Sequence, residues 1–166
     1  MKNKLILISN MYPSADNVRY GIFVQNFEKI IQENFCVNKI VLTKKNSFLS
    51  KLVGYIVFYI KILGLCFRLS PQDIVYVHYP LHAAPVLWPL YLFNKNIFFN
   101  FYGSDLEFNT FLKKILSFFL LPLIKKTAMV VPSHYYKNVL EKIIQASHPQ
   151  ILVYPSGGIN KEVFYY

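Results

Sequence analysis

A chain of 166 residues with 54% hydrophobic and 16% charged side chains is not a disordered segment, and it is long enough for one domain with a large core. Its formal charge is +10, yet Arg19 and Arg68 are its only arginines. That is a poor supply for a nucleic-acid reader, which relies on guanidinium forks, so no nucleic acid is expected as a partner. A lysine-rich, aromatic and apolar balance suits an anionic membrane surface better, the plain alternative being ordinary solvated lysines.

In chain order the pattern alternates between strands and helices. Lys4 to Ser9 is a short apolar strand, in a run too short for a secretory leader and without a small-residue cleavage site. A polar loop with Pro13, Ser14, Asp16 and Asn17 leads to Gly21. Beyond it Phe23, Phe27, Ile30 and Ile31 share one helical face, with Gln25, Glu28 and Lys29 on the other. Val37 to Thr43 is a second strand and Ser47 to Leu69 a long apolar helix. Its best uninterrupted apolar run, Leu52 to Ile60, falls far short of the ~20 residues of a bilayer span. Lys61 adds a further cost, so a helix packed on the sheet is expected rather than a span.

Asp73 to Val77 is a strand ending in His78. Leu81 to Phe93 reads as a helix despite Pro85 and Pro89, and Asn96 to Phe101 as a strand. Phe108 to Lys126 is a helix with Pro122 as a kink. Met129 to Val131, a helix capped by Ser133 and running through Ile144, and a strand from Ile151 to Tyr154 complete the series. Strands separated by helical crossovers imply an α/β fold, a doubly wound Rossmann-like parallel sheet with helices on both faces. Cys36 and Cys66 stand alone in apolar surroundings, so buried thiols in a reducing compartment are expected.

Ligands of open parallel sheets bind beyond the carboxyl ends of the strands, near the point where strand order reverses. Four segments are expected to converge there: the loop Asn10 to Gly21 (with Tyr12), His78, Tyr102 to Asp105, and Ser133. A glycine that opens a helix lets a phosphate approach backbone N–H groups, so Gly21 is either a phosphate contact or a turn residue. Tyr102-Gly103-Ser104-Asp105 places a carboxylate on a tight turn, as an acid, base or sugar-hydroxyl anchor, or else as a helix N-cap. Asp105-Leu106-Glu107 mimics a metal-binding triplet but lacks a third ligand. His78 and His82 have ligand spacing only if both are helical, which the strand end at His78 opposes. Ser133 has the plain reading of a helix cap.

Taken together, Leu5-Ile6-Leu7-Ile8-Ser9-Asn10-Met11-Tyr12-Pro13 with Gly21-Ile22-Phe23-Val24, Asp73 to His78, Tyr102-Gly103-Ser104-Asp105, Val130-Val131-Pro132-Ser133 and Pro155-Ser156-Gly157-Gly158-Ile159-Asn160 with Phe164 resemble the N-terminal domain of a family-4 retaining glycosyltransferase of GT-B architecture. The resemblance implies two Rossmann-like domains facing across a cleft. This chain would be the acceptor-side domain over residues 1–154, and 155–166 would begin the linker to a donor domain that it lacks. Gly21 would lie near the donor diphosphate, and Asp105 would match the acidic residue of its loop. Tyr102 stands where many members carry a His that touches the donor sugar. Asn10, Tyr12, His78, Gly103, Ser104 and Ser133 would line the acceptor side of the cleft. The substrates implied are a nucleotide-sugar donor and a glycan or lipid-linked acceptor of surface polysaccharide assembly, with retention and no obligatory metal or other cofactor. A cytoplasmic location, peripheral on the inner face of the plasma membrane, follows as an expectation, as does the inactivity of these 166 residues alone.

Overall fold

The computed structural model describes residues 3–93, 96–145 and 150–155. The glycine loop from Ser156 onward and Phe164 lie outside the described residues. Six strands form one all-parallel sheet: β1 (Lys4–Tyr12), β2 (Cys36–Thr43), β3 (Ile74–His78), β4 (Ile97–Asn100), β5 (Ala128–Val131) and β6 (Ile151–Val153), in the order β2-β1-β3-β4-β5-β6. The crossovers are α1 (Ile22–Ile31), α2 (Phe48–Gly64), α3 (Ala84–Phe93), α4 (Phe111–Ile124) and α5 (His134–Ile144). The expected doubly wound Rossmann-like fold is therefore present, with each element within a few residues of its expected place.

The order of the strands divides the helices unequally. The chain leaves β1 for β2 in one direction and then passes β1 to reach β3, β4, β5 and β6 in the other. Right-handed crossovers consequently put α1 on one face and the later helices on the opposite face. The packing follows this division. Phe58, Leu87, Leu120 and Leu140, one from each of α2 to α5, share a core with Ile6, Ile8, Val75, Val77, Phe99 and Met129. Val24 of α1 belongs to a smaller cluster with Leu5, Leu7 and Tyr12, against which Phe23, Phe27 and Ile31 pack.

Three expectations change. Ile30 does not belong to the packed face of α1; it is exposed, while Glu28, assigned to the polar face, is buried. Its carboxylate accepts from the Tyr12 hydroxyl and pairs with the Lys39 ammonium at 2.9 Å. Cys36 is exposed on β2 and Cys66 is half-buried, so the thiols are not both core residues. Finally, α2 and the short turn after it make a continuous segment, Phe48–Phe67, of 20 residues with mean hydropathy 1.7, long and apolar enough to cross a membrane. The two lysines inside it do not interrupt the helix, which is why the uninterrupted run underestimated it. Phe58 and Ile62 nonetheless pack into the core, which holds α2 along the sheet as a crossover between β2 and β3.

The two proline-bearing helices continue through their prolines. Pro122 has no N–H to give the Phe118 carbonyl, and the Trp88 indole N–H donates to the next carbonyl, Phe119, at 2.9 Å, tying α3 to α4. Truncation of the buried partner beneath α1, Glu28→Ala, leaves the Tyr12 hydroxyl without its acceptor and Lys39 without its counter-ion. A loss of about 1–3 kcal/mol is expected in urea unfolding, most of it from the buried hydroxyl because Lys39 can still reach water.

Candidate functional site

The reversal of strand order lies between β1 and β3, and three polar residues meet there in register. Ser9 pairs with His78, and His78 with Asn100, one residue from each of three adjacent strands at their carboxyl ends. All three are buried. Ser9 returns its hydroxyl to the Met11 carbonyl at 2.8 Å. His78 Nδ1 lies 2.7 Å from the Tyr102 hydroxyl, and the Asn100 side-chain N–H₂ lies 3.3 Å from that hydroxyl and 3.4 Å from His78 Nδ1.

This geometry sets the histidine's proton. The Asn100 amide nitrogen has only hydrogens to give, so Tyr102 accepts from it and turns its own O–H to His78 Nδ1. Burial drives the imidazole pKa down to about 3, and the ring is neutral. Its proton then sits on Nε2. Burial, followed by the neighbouring Tyr76, Tyr79 and Asp105, raises the Tyr102 phenol above its ordinary value and keeps it protonated. Aromatic rings pack around the pair: Phe23 against Tyr102 at 4.4 Å, Tyr79 stacked on Tyr102 at 4.9 Å, and Phe27 edge-on to His78 at 4.9 Å.

Asp105 closes the loop after β4. One carboxylate oxygen accepts from the Tyr102 and Gly103 N–H groups, both at 3.0 Å. It is not a helix cap, because α4 starts later and is capped by Thr110, whose hydroxyl accepts from Lys113 N–H. Burial raises the carboxyl to about 6, against the opposing pull of those N–H groups and of Lys113. The Lys113 ammonium donates to the Ser104 carbonyl at 2.8 Å and so braces the same loop. Gly103 has φ 106, and a Cβ there would lie 2.4 Å from the Tyr136 ring.

The first loop is held by backbone contact. Gly21 has φ 73, and an added Cβ would come within 2.6 Å of the Met11 carbonyl carbon. It is also the first cap position of α1 and brings no side chain to it, so the amino end of that helix carries no side-chain cap. Asn10 donates to the Tyr55 hydroxyl at 3.5 Å, and its backbone carbonyl accepts from Tyr20 at 3.5 Å. A groove of about 250 Å³ lined by Tyr20, Tyr55, Thr43, Lys44, Lys45 and Lys51 adjoins these groups at the end of β2.

Among the described residues, three buried side-chain polar atoms have no hydrogen-bond partner: Asn10 Oδ1, His78 Nε2 and Asp105 Oδ2. All three belong to the segments at the carboxyl edge. One is a donor and two are acceptors, a complement suited to hydroxyl groups, which both give and take hydrogen bonds. Such groups are costly to leave unpaired, and all three stand at one edge of the sheet.

The structure joins His78 and Tyr102 directly and gives Asp105 the closure of the Tyr102–Gly103 turn. Tyr12 is different: its hydroxyl is taken up by Glu28 and Lys39 beneath α1. Ser133 occupies the cap position of α5 without making a side-chain cap bond. His82 lies in a short turn beyond β3, with its carbonyl accepting from Tyr59 at 2.7 Å, and no group of three potential metal ligands occurs among the described residues. Asn100 and Tyr79 were not singled out from the sequence, and Phe23 was read only as part of the packed face of α1 and of the stretch Gly21-Ile22-Phe23-Val24. Asn100 had a legible signal, a lone polar residue closing the apolar run Ile97-Phe98-Phe99, whereas Tyr79, with φ 53 before Pro80, had none. No protein-family model matches the sequence, and no curated protein matches it.

The shifts of Asp105 and His78 oppose each other. Asp105 has a folded pKa raised from 3.8 to about 6, so the folded chain holds the extra proton and stability falls as pH rises through that window. His78 is depressed from 6.5 to about 3, so the unfolded chain holds the extra proton and stability rises with pH. Between pH ~4 and ~6 the two slopes nearly cancel. Urea unfolding of Asp105→Asn should therefore lose about 1.4 kcal/mol more than the parent for each unit of acidification in that window, and His78→Gln should show the opposite change. At pH 7, Asp105→Asn should be the more stable protein by about 1–3 kcal/mol, since the amide keeps the turn's acceptor and buries no charge. Gly21→Ala should lose about 2 kcal/mol or more in the same assay, from strain at positive φ together with the clash on Met11.

Proposed function

We propose that this chain is the acceptor-binding, N-terminal part of a retaining glycosyltransferase, which moves a sugar from a nucleotide-sugar donor to a lipid-linked glycan acceptor in surface polysaccharide assembly. The observation that carries the reading is the set of unpartnered buried atoms on Asn10, His78 and Asp105 at the point where strand order reverses. A neutral Nε2–H donor together with a carbonyl and a carboxylate acceptor is the complement that hydroxyl groups take. The amino end of α1 after Gly21 has no side-chain cap, and helix amino ends favour anions, which supports a diphosphate nearby. In this reading Asp105 anchors a sugar hydroxyl, and Tyr102 holds the histidine in its tautomer. All three atoms are buried, so a ligand reaches them after local rearrangement of the side chains around them.

The reading has a direct test. The product of the complete reading frame is incubated, in membranes, with labelled nucleotide sugars, and label is followed into lipid-extractable glycan. Transfer is expected, with a loss of about a hundredfold or more in Asp105→Asn, equivalent to removing one strong transition-state hydrogen bond. The 166-residue chain alone should show none. Full transfer by Asp105→Asn, or none by the complete product with uridine, guanosine and thymidine diphosphate sugars, would sink the reading. The outward apolar face of α2 favours a second reading, a non-catalytic membrane-peripheral module that pairs with a separate donor-domain chain.

A further inference from the structure

Helix α2 turns an uncharged apolar stripe to the outside. Leu49, Val53, Ile56, Ile60 and Leu63 follow one another at alternating steps of four and three residues, the spacing of a single helix face, and all are exposed, as is Phe67 in the short turn after the helix. Phe67 is 91% exposed and Ile60 63%, while only 11% of the apolar window is buried. Lys51 and Lys61 fall off this stripe. A patch of this kind on a helix already packed by Phe58 and Ile62 is more than a monomer ordinarily leaves in water.

The surroundings of the stripe say what covers it. From Asn34 to Gln72 the sequence contains no Asp or Glu, while Lys44 and Lys45 precede the helix, Lys51 and Lys61 lie within it off the stripe, and Arg68 follows it. A second copy seated on the stripe would bring these cations against themselves. A lipid surface asks for neither a complementary groove nor a large area; it takes an apolar helix face with cations beside it. The groove between β2 and α2, about 380 Å³, has such a lining: Lys45 and Lys61 with Thr43 and Ser50 over Val53 and Val57. In the same helical layer α4 shows a second outward stripe, Phe111, Ile115 and Phe118, next to Lys114.

We infer that α2 lies in the plane of an anionic membrane, its outward stripe among the acyl chains and the flanking lysines on the phosphate headgroups. Lys44, Lys45 and Lys51 stand where α2 begins, beside Thr43 at the carboxyl end of β2. Docking therefore brings the polar edge of the sheet to the headgroup layer. The inference rests on the outward face of α2 and not on the transferase reading. Vesicle binding without sugar transfer would leave it standing while removing that reading.

The experiment is flotation of the full chain with vesicles of phosphatidylcholine alone, or with phosphatidylglycerol replacing part of it. Binding to the anionic vesicles is expected to be at least about tenfold tighter and to weaken with salt. Ile56→Gln/Ile60→Gln should lower that binding about tenfold or more with an unchanged unfolding midpoint, since both side chains are on the surface. Lys44→Gln/Lys45→Gln should reduce the preference for anionic lipid. Equal binding to both vesicle types, or unchanged binding by the isoleucine variant, overturns the inference. So does lipid-independent self-association that the isoleucine variant abolishes, which would make the stripe a dimer face.

Discussion

The reversal of direction at β1 is the constraint on which the rest of the structure depends. Because β1 lies between β2 and β3, the chain runs outward from it in both directions, and the handedness of parallel crossovers then decides where every helix goes. α1 is left on one face and α2 to α5 occupy the other. The same reversal keeps the loops after β1 and β3 from closing over one another, which opens the carboxyl edge between them. The polar row Ser9, His78 and Asn100 is set across that opening by strand register.

Polar groups at this edge are held at a cost in stability. His78 is kept neutral and Asp105 is pushed toward protonation, both chiefly by burial. Backbone and side-chain bonds satisfy one side of each group: Tyr102 for His78 Nδ1, and two N–H groups for one oxygen of Asp105. The other side of each is unpartnered. A core built for stability alone would place apolar residues here, as the neighbouring Val77, Phe99 and Phe101 do. Stored local cost of this kind is a mark of functional edges in folded proteins.

The opposite imbalance occurs on α2. There the outward stripe of the helix lacks polar groups, and the cations stand off it, Lys51 and Lys61 within the helix and Lys44, Lys45 and Arg68 beyond its ends. α2 begins beside Thr43, Lys44 and Lys45 at the carboxyl end of β2, so it starts on the same edge of the parallel sheet as His78 and Asn100. The polar edge and the outward apolar stripe of α2 share no residues.

Local pattern in the sequence was enough for the alternation of strands and helices, and for the parallel α/β class that follows from it. It was enough as well for the positions that topology sends to the carboxyl edge, because strand ends are legible from the apolar runs that precede them. Glycines at Gly21 and Gly103 were legible as turn residues, although the close approaches to Met11 and Tyr136 that exclude a side chain were not. Other properties belong to contacts between residues distant in the chain. The pairing of Tyr12 and Lys39 with Glu28 turned a supposed polar face of α1 inward, and register across three strands placed Asn100 beside His78. Burial, a property of the packed whole, then set the protonation of His78 and Asp105. Whether the apolar residues of α2 faced the core or the outside was likewise decided by tertiary packing, since a helix that is apolar almost all round carries no periodic signal of which side the sheet will take.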